Sequence, residues 1–455
     1  MDVRGKKVVV LGLGDTGLSM TRWLHRHGAQ VAVADTRAAP PHAVTLQREL
    51  PQVEVMCGEF QANRLRAADL IAISPGIDRR ALPIAAAAQH GVAIAGDVEL
   101  FAQALPRVFK RRPKIVAITG TNGKSTVTQM AGDICAAQGL DTVVAGNIGT
   151  PVLDALDEIE HSGRKPDAFV LELSSFQLET TASLDADAAT VLNVSEDHLD
   201  RYDGIEDYAA AKARIYIGRG AQVVNREDAR SASMARPERE VWNFGLTAPA
   251  SDREWGIAQG KLVRGKHALL NLEELPVAGL HNAANALAAA ALCHAIEVGE
   301  ASIVKALRAY KGLPHRVEKI AVIDGVTWYD DSKGTNVGST VAALNGFTQP
   351  VVLICGGEGK GQDFSPLREP VRNHARAVVL IGRDREQIAR SIEGAGVDIQ
   401  RAASMEEAVK LARAASRKGD VVLLSPACAS FDMFRNYGHR GEVFATAVKA
   451  QVSHD

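Results

Sequence analysis

Short, wholly apolar runs recur along the chain, each closed by glycine or a polar turn and followed by a helical pattern. KVVVL (Lys7 to Leu11) leads to a helix over 16–27 and a strand over 30–34, and LIAISPG (70–76) and VAIAG (92–96) continue the alternation. The rhythm returns with IVAIT (115–119), AFVLEL (168–173), ATVLNV (189–194) and AQVVN (221–225), ending in the helical stretch HNAANALAAAALCHAIEVG. It returns a third time with VVLICGG (351–357), AVVLIG (377–382) and VVLLSPA (421–427). Strands buried on both faces read as continuous apolar runs, so the pattern predicts parallel sheets covered by helices.

Two passages interrupt this rhythm. LPRVFKRRPK follows the first set of strands and KGLPHRVE the second, where glycine and proline break the helical pattern. The chain of 455 residues is long enough for about three domains at roughly 100 to 200 residues each. We therefore expect an α/β protein of three domains, 1–105, 106–313 and 314–455, each with a mainly parallel sheet. The outer two are expected to be Rossmann-like. Ligands in such sheets bind at the carboxyl ends of the strands, where the glycine-rich and polar turns of this chain fall.

Composition narrows the partners. Apolar residues make up 46% and aromatics 5%, the palette of helix-covered parallel sheets, and the net charge is -2 with no basic face for a nucleic acid. Five cysteines stand singly without a C-x-x-C pair, so they are expected to be reduced core thiols rather than zinc ligands or disulfides. The Ala-rich run over 283–295 is too short to span a bilayer, and the N-terminus lacks an apolar signal region. A cytoplasmic protein without membrane insertion is expected.

Two glycine-rich loops of different design follow strands. In Gly120-Thr121-Asn122-Gly123-Lys124-Ser125-Thr126, backbone N–H groups and a helix N-terminus face a phosphate chain, Lys124 reaches the outer phosphates and Ser125 can hold Mg²⁺. ATP is the natural ligand of this central P-loop, although the longer consensus would place glycine where Ile118 stands. The first loop carries Gly12, Gly14 and Gly17, with Asp35 where a ribose-binding acid would sit. Alone it fits NAD, another nucleotide diphosphate or a tight turn; a separate ATP site favours a nucleotide-tagged substrate. Ser74-Pro75-Gly76 offers amides to a diphosphate or is a plain turn.

Other polar groups cluster at strand ends. Glu172 closes an apolar strand, where a carboxylate is costly to bury unless paired or metal-bound. Asn193, Asp197, His198 and Asp200 read as a capped acidic helix start or a second metal site. Lys212, on an amphipathic helix, reads locally as a solvated lysine. Asp330, Asp331, Ser332 and Lys333, Lys360 in a glycine-rich loop, and Ser430 suggest an anion-binding face, though each could be only a loop.

The order of these motifs resembles the Mur ligases of bacterial cell-wall synthesis. The resemblance spans essentially the whole chain: GLGDTGLS, DTR, SPG, TGTNGKST, GNIG, ELSSFQLE, NVSEDHLDRY, the AAK helix, GLHNAANALAA, PHR, DDSKGTN, GGEGKG and SPACASFDMF. The first loop with Asp35-Thr36-Arg37 points to the branch joining D-glutamate to UDP-N-acetylmuramoyl-L-alanine through an acyl phosphate. The resemblance implies a UDP-sugar site of Gly14, Thr16, Asp35, Thr36, Arg37, Ser74, Gly76 and Asn147, with the last two near the diphosphate. It implies ATP at Gly120 to Thr126, Asn285, Arg316 and Asp331, and catalysis by Lys124, Glu172, His198 and Lys212.

Two Mg²⁺ ions are implied, one at Ser125 and Glu172, the second near His198 and a carbamylated Lys212. Glutamate would meet Lys333, Thr335, Lys360, Ser430, Phe431 and Tyr437, and the protein would act as a monomer. Asp15, between Gly14 and Thr16, would repel a diphosphate unless it points outward. A dehydrogenase would leave the Lys124 loop without a purpose, and a folylpolyglutamate synthase has no UDP substrate for the first loop. Another Mur-type ligase or one adding L-glutamate is the nearer alternative, and a non-catalytic nucleotide sensor would not need Glu172, His198 and Lys212 together.

Overall fold

A computed structural model describes residues 2–277 and 279–451 of the chain. Its strands form three sheets. The first runs Glu54–Cys57, Gln30–Asp35, Lys7–Leu11, Leu70–Ile73, Ala93–Ala95 and is parallel throughout. Its central strand pairs Val10 with both Val33 and Ala72, all fully buried, and helix Asp15–Arg26 closes one face with Leu18, Trp23 and Leu24. A Cβ on Gly17 would lie 1.8 Å from the Gly12 carbonyl, so only glycine lets this helix start against the loop below it.

The second sheet has nine strands. Seven are parallel, in the order Thr142–Gly146, Ala168–Glu172, Lys114–Thr119, Ala188–Val191, Ala221–Asn225, Val241–Phe244, Glu254–Ala258. Lys261–Arg264 and His267–Asn271 extend it antiparallel. The turn at Gln259 and Gly260, with φ of +51° and +71°, has both central residues left-handed, as a two-residue hairpin requires. Helices Lys124–Ala137 and Leu280–Ala295 cover one face, joined by buried Met130, Ile134, Leu287 and Leu292. The first two sheets share a core: Phe101, on helix Asp97–Val108, meets Phe169 edge-on at 5.1 Å. That helix continues past Leu105 and carries Pro106 inside it.

The third sheet runs Glu318–Ile323, Val326–Asp330, Val421–Leu424, Val351–Gly356, Ala375–Ile381, Asp398–Arg401, parallel except for its first strand. Each apolar run that predicts a strand is one. Cys135, Cys293, Cys355 and Cys428 are buried, whereas Cys57, at the end of an edge strand, is exposed and so departs from the expected core thiol. Among the described residues no helix is long and apolar enough to cross a membrane.

Candidate functional site

The central loop is built by the strand Lys114–Thr119 and the helix Lys124–Ala137. Gly123 caps that helix at φ +84°, and a Cβ there would meet Asn285 Oδ1 at 2.5 Å, so both conformation and space demand glycine. Lys124 turns back over the loop, donating to the carbonyls of Gly120 at 2.8 Å and Thr121 at 2.7 Å. Burial holds its amine below the usual lysine range, with Arg316 and Lys333 nearby adding to the effect. Asn193 fixes the loop: its Oδ1 accepts from the Asn122 N–H at 2.8 Å and its amide donates to the Asn122 carbonyl at 3.1 Å.

Glu172 closes the strand next to the loop strand, in register with Ile118 on one side and Gly146 on the other. It is 1% exposed. Oε1 accepts from Asn147 Nδ2 at 2.7 Å, whereas Oε2 is buried with no hydrogen-bond partner among the described residues. Leaving a buried acceptor unsatisfied costs about 1–3 kcal/mol, and more when it is charged. An orphan carboxylate oxygen lining the same cavity as the phosphate loop and Ser125 therefore fits a divalent cation. In this structure the Ser125 hydroxyl accepts from Arg316 Nη2 at 2.8 Å.

Lys212 overturns its local reading. It is 1% exposed, donates to the Gly120 carbonyl at 2.9 Å and stands 4.3 Å from the centroid of the Tyr208 ring. Helix Ile205–Ala213 turns this side chain underneath the phosphate loop. Burial, reinforced by Lys124, pushes the amine well below the usual lysine range. His198 has a left-handed backbone at φ +56°, and its ring meets Phe176 edge-on at 4.8 Å and Tyr208 at 6.2 Å. Burial lowers its pKa, and Asp197 lies 3.7 Å from Nε2.

A cavity of about 490 Å³ opens above this floor. It brings together Thr121 to Thr126, Asn147, Glu172, His198, Asn285, Arg316, Asp331, Lys333 and Thr335, all proposed from the sequence. The Asp331 carboxyl accepts from Ser425 at 2.7 Å and is pushed up to about 7 by burial. Lys333 is lowered to about 8, first by burial and then by Arg316, and its amine sits 3.7 Å from the Tyr437 ring centroid. Lys360, Ser430, Phe431 and Tyr437 stay off the cavity wall. Ser430 is buried, Phe431 is 69% exposed, and Lys360 is exposed at φ +53°.

The walls also include Asn282, Ser195, Asn336 and Ser339, which the motif reading passed over. Asn282 stands three residues before Asn285 on one helix, a spacing that puts both on the same face. Buried Arg440 donates to Ser332 Oγ at 2.9 Å and to the Cys428 carbonyl at 3.1 Å, tying the Ser430 loop to the Lys333 loop.

The first glycine loop lies apart from this cavity. Of the proposed UDP-sugar residues only Asn147 reaches the cavity. Gly14, Thr16 and Ser74 are half-buried, Thr36, Arg37 and Gly76 exposed. Asp35 faces inward, its carboxylate accepting from the Leu13 N–H at 2.7 Å and from the Arg37 N–H, Nε and Nη2 at 2.9, 2.8 and 2.5 Å. Arg37 holds its pKa down at about 2. Asp15 points outward and pairs with His42 Nε2 at 2.7 Å, clear of the loop's interior.

Fold and site define a three-sheet α/β protein with a phosphate loop roofed by its C-terminal sheet. Family models match in the same order: "Mur ligase MurD-like, N-terminal domain" over 6–96, "Mur ligase middle domain" over 118–293, and "Mur ligase, glutamate ligase domain" over 315–428. The chain is 56% identical to the UDP-N-acetylmuramoylalanine--D-glutamate ligase of Thiobacillus denitrificans over 460 residues, covering 99% of this chain and 97% of the relative. It is 53% identical to the ligase of the same name from Nitrosomonas europaea, with the same coverage of 99% and 97%. The UDP-N-acetylmuramate-alanine ligase MurC of Thermotoga maritima shares the fold at a TM-score of 0.60 and 18% identity, over 98% of this chain and 100% of that one. The chain belongs to the Mur ligase family.

Proposed function

We propose that this chain joins UDP-N-acetylmuramoyl-L-alanine to D-glutamate at the expense of ATP, as a cytoplasmic monomer supplying peptidoglycan precursors. The observation that carries this reading is the buried, half-unsatisfied Glu172 carboxylate, which shares one cavity with Lys124, His198, Arg316 and Lys333. The names and identity of the relatives support the choice of substrates.

In this reading residues 1–105 hold the UDP-sugar, 106–313 hold ATP and 314–455 hold glutamate. The alanyl carboxylate attacks the γ-phosphorus as ADP leaves, and the neutral glutamate amine then attacks the acyl carbon, losing a proton as inorganic phosphate is expelled. Two anions must meet, so Lys124 and Arg316 neutralise charge on the phosphate chain. Asp331 and Asn285 hold the nucleotide, and Lys333 with Thr335, Lys360, Ser430, Phe431 and Tyr437 receives glutamate. Glu172 with Ser125, and His198 with Lys212, would hold two Mg²⁺ ions, which supply charge neutralisation at the transferred phosphate. The burial that lowers the Lys212 pKa favours the neutral amine, a nucleophile toward CO₂: an N–C bond forms as one C=O π bond of CO₂ opens, one proton is lost, and the neutral amine becomes a carbamate anion.

Phosphate release with UDP-N-acetylmuramoyl-L-alanine, Mg²⁺-ATP and each glutamate enantiomer tests the reaction. Turnover with D-glutamate alone is the expected result. Turnover with L-glutamate, or with neither, would overturn the substrate assignment. Lys212→Ala should lose most activity and regain part of it with added formate or acetate. A ¹³C carbamate signal should appear in the wild type after exchange with labelled bicarbonate at mildly alkaline pH. A fully active Lys212→Ala would remove the carbamate from the site.

A further inference from the structure

The roof of the cavity meets its floor through asparagine side chains. Asn336 caps helix Val337–Asn345, its Oδ1 accepting from the Ser339 N–H at 2.9 Å. That bond fixes which end of the amide faces outward. The outward Nδ2 donates to Asn122 Oδ1 at 3.0 Å, and Asn122 Nδ2 donates back to Asn336 Oδ1 at 3.3 Å. Nδ2 also lies 3.5 Å from Asp197 Oδ2, and the Ser339 hydroxyl stands 3.1 Å from Asn122 Oδ1. Asn336 is 4% exposed, whereas Asn122 and Ser339 are half-buried, so the Asn336 amide has no ready exchange with water.

The contact leaves no slack. A Cβ on Gly338, in the first turn of the same helix, would come within 3.1 Å of Ser195 Oγ and 3.4 Å of Asn122 Nδ2. On the floor side Asn193 already holds the Asn122 backbone from both its N–H and its carbonyl. Three asparagines thus run from the strand-end segment of His198, through the phosphate loop, to the C-terminal sheet. Thr335 immediately precedes Asn336, and Lys333 lies three residues before it.

We infer that Asn336 is a positioning residue: through Asn122 it registers the C-terminal sheet on the phosphate loop and sets the separation between the Lys333–Thr335 segment and the transferred phosphate. This rests on the function proposed above, in which that separation is the one the glutamate amine must cross to reach the acyl phosphate. When the pair parts, the buried Asn336 amide and the half-buried Asn122 amide lose their partners together, so the roof has a defined seated position rather than a continuum.

Asn336→Ser is the discriminating substitution, because serine still caps the helix but cannot donate to Asn122 in the same way. It should leave the melting temperature unchanged and raise the glutamate KM about tenfold, the scale of one buried hydrogen bond. The ATP KM should stay within about twofold, while phosphate release outruns amide formation. The full-length variant should also show a larger radius of gyration than the wild type by small-angle scattering. In an Asn122→Ala background the same substitution should move the glutamate KM less than about twofold, since the partner is already gone.

A wild-type glutamate KM together with wild-type scattering for Asn336→Ser would overturn the inference, as would full effects that multiply in the Asn122→Ala background. Should the wild type make no amide from glutamate, the functional reading fails. Scattering alone then decides whether Asn336 seats the roof.

Discussion

Asp35 and Glu172 occupy matching places in two sheets. Each closes a parallel strand that pairs with the strand feeding a glycine-rich loop, and each is almost wholly buried, at 2% and 1% exposure. Their surroundings differ. Asp35 takes four hydrogen bonds from Leu13 and Arg37, whereas Glu172 takes one on its side chain and keeps an oxygen empty-handed. Burial alone therefore does not define what an acid is for; the number of donors around it does. A saturated carboxylate braces the first loop and orients Arg37, while the unsaturated one has the open acceptor that the proposed cation would fill.

Three substitutions probe this contrast, beginning with the largest effect. Glu172→Gln keeps the shape and an acceptor for Asn147 but removes the charge, and should lower phosphate release at least about 10³-fold, the scale for a main electrostatic stabiliser. Mn²⁺ titration followed by electron paramagnetic resonance should show weakened ion binding in the same variant. Retained metal affinity would make Glu172 a second brace.

Asp35→Asn should leave ATP affinity intact, weaken UDP-sugar binding and cost about 1–3 kcal/mol of stability, read from urea midpoints. Its pH dependence has a definite sign. Arg37 lowers the folded-state pKa to about 2, so the contribution is full above the ordinary aspartate value near 3.8 and disappears as pH falls through about 2. The midpoint gap between wild type and variant should narrow over that window; a gap that stays constant would mean the charge is not what stabilises. The smallest effect belongs to Asp15→Ala. Its side chain is 86% exposed and pairs with His42, so both stability and UDP-sugar affinity should stay within about 0.5 kcal/mol of wild type by isothermal calorimetry and melting.

The strands were legible because both their faces are covered, which forces an unbroken apolar run such as VVLL at Val421–Leu424. The hairpin strands Lys261–Arg264 and His267–Asn271 were not read, although the Gln259-Gly260 turn left a local trace. Lys212 shows why a site can escape a local reading. Alanines on either side make its helix look like an exposed amphipathic one, and only the placement of the phosphate loop above it makes the lysine buried. Asn336 was illegible for the same reason, since its partner Asn122 is 214 residues away. The saturation of Asp35 by Arg37 involves residues two apart, yet sequence alone does not say whether that guanidinium turns inward or toward a ligand.

The backbone bonds flanking Glu172 also separate what is fixed from what can part. Leu173 donates to the Ile118 carbonyl at 2.8 Å and Asn147 to the Glu172 carbonyl at 2.8 Å, at the carboxyl end of the second strand from one edge of the nine-stranded sheet. Those bonds break only when the strand ends themselves part, whereas a rigid lift of the roof would leave the bonds inside helix Val337–Asn345 intact. If Glu172 holds a cation as proposed, that seat stays with the central sheet when the roof lifts, so substrates would come and go over a floor that keeps its shape.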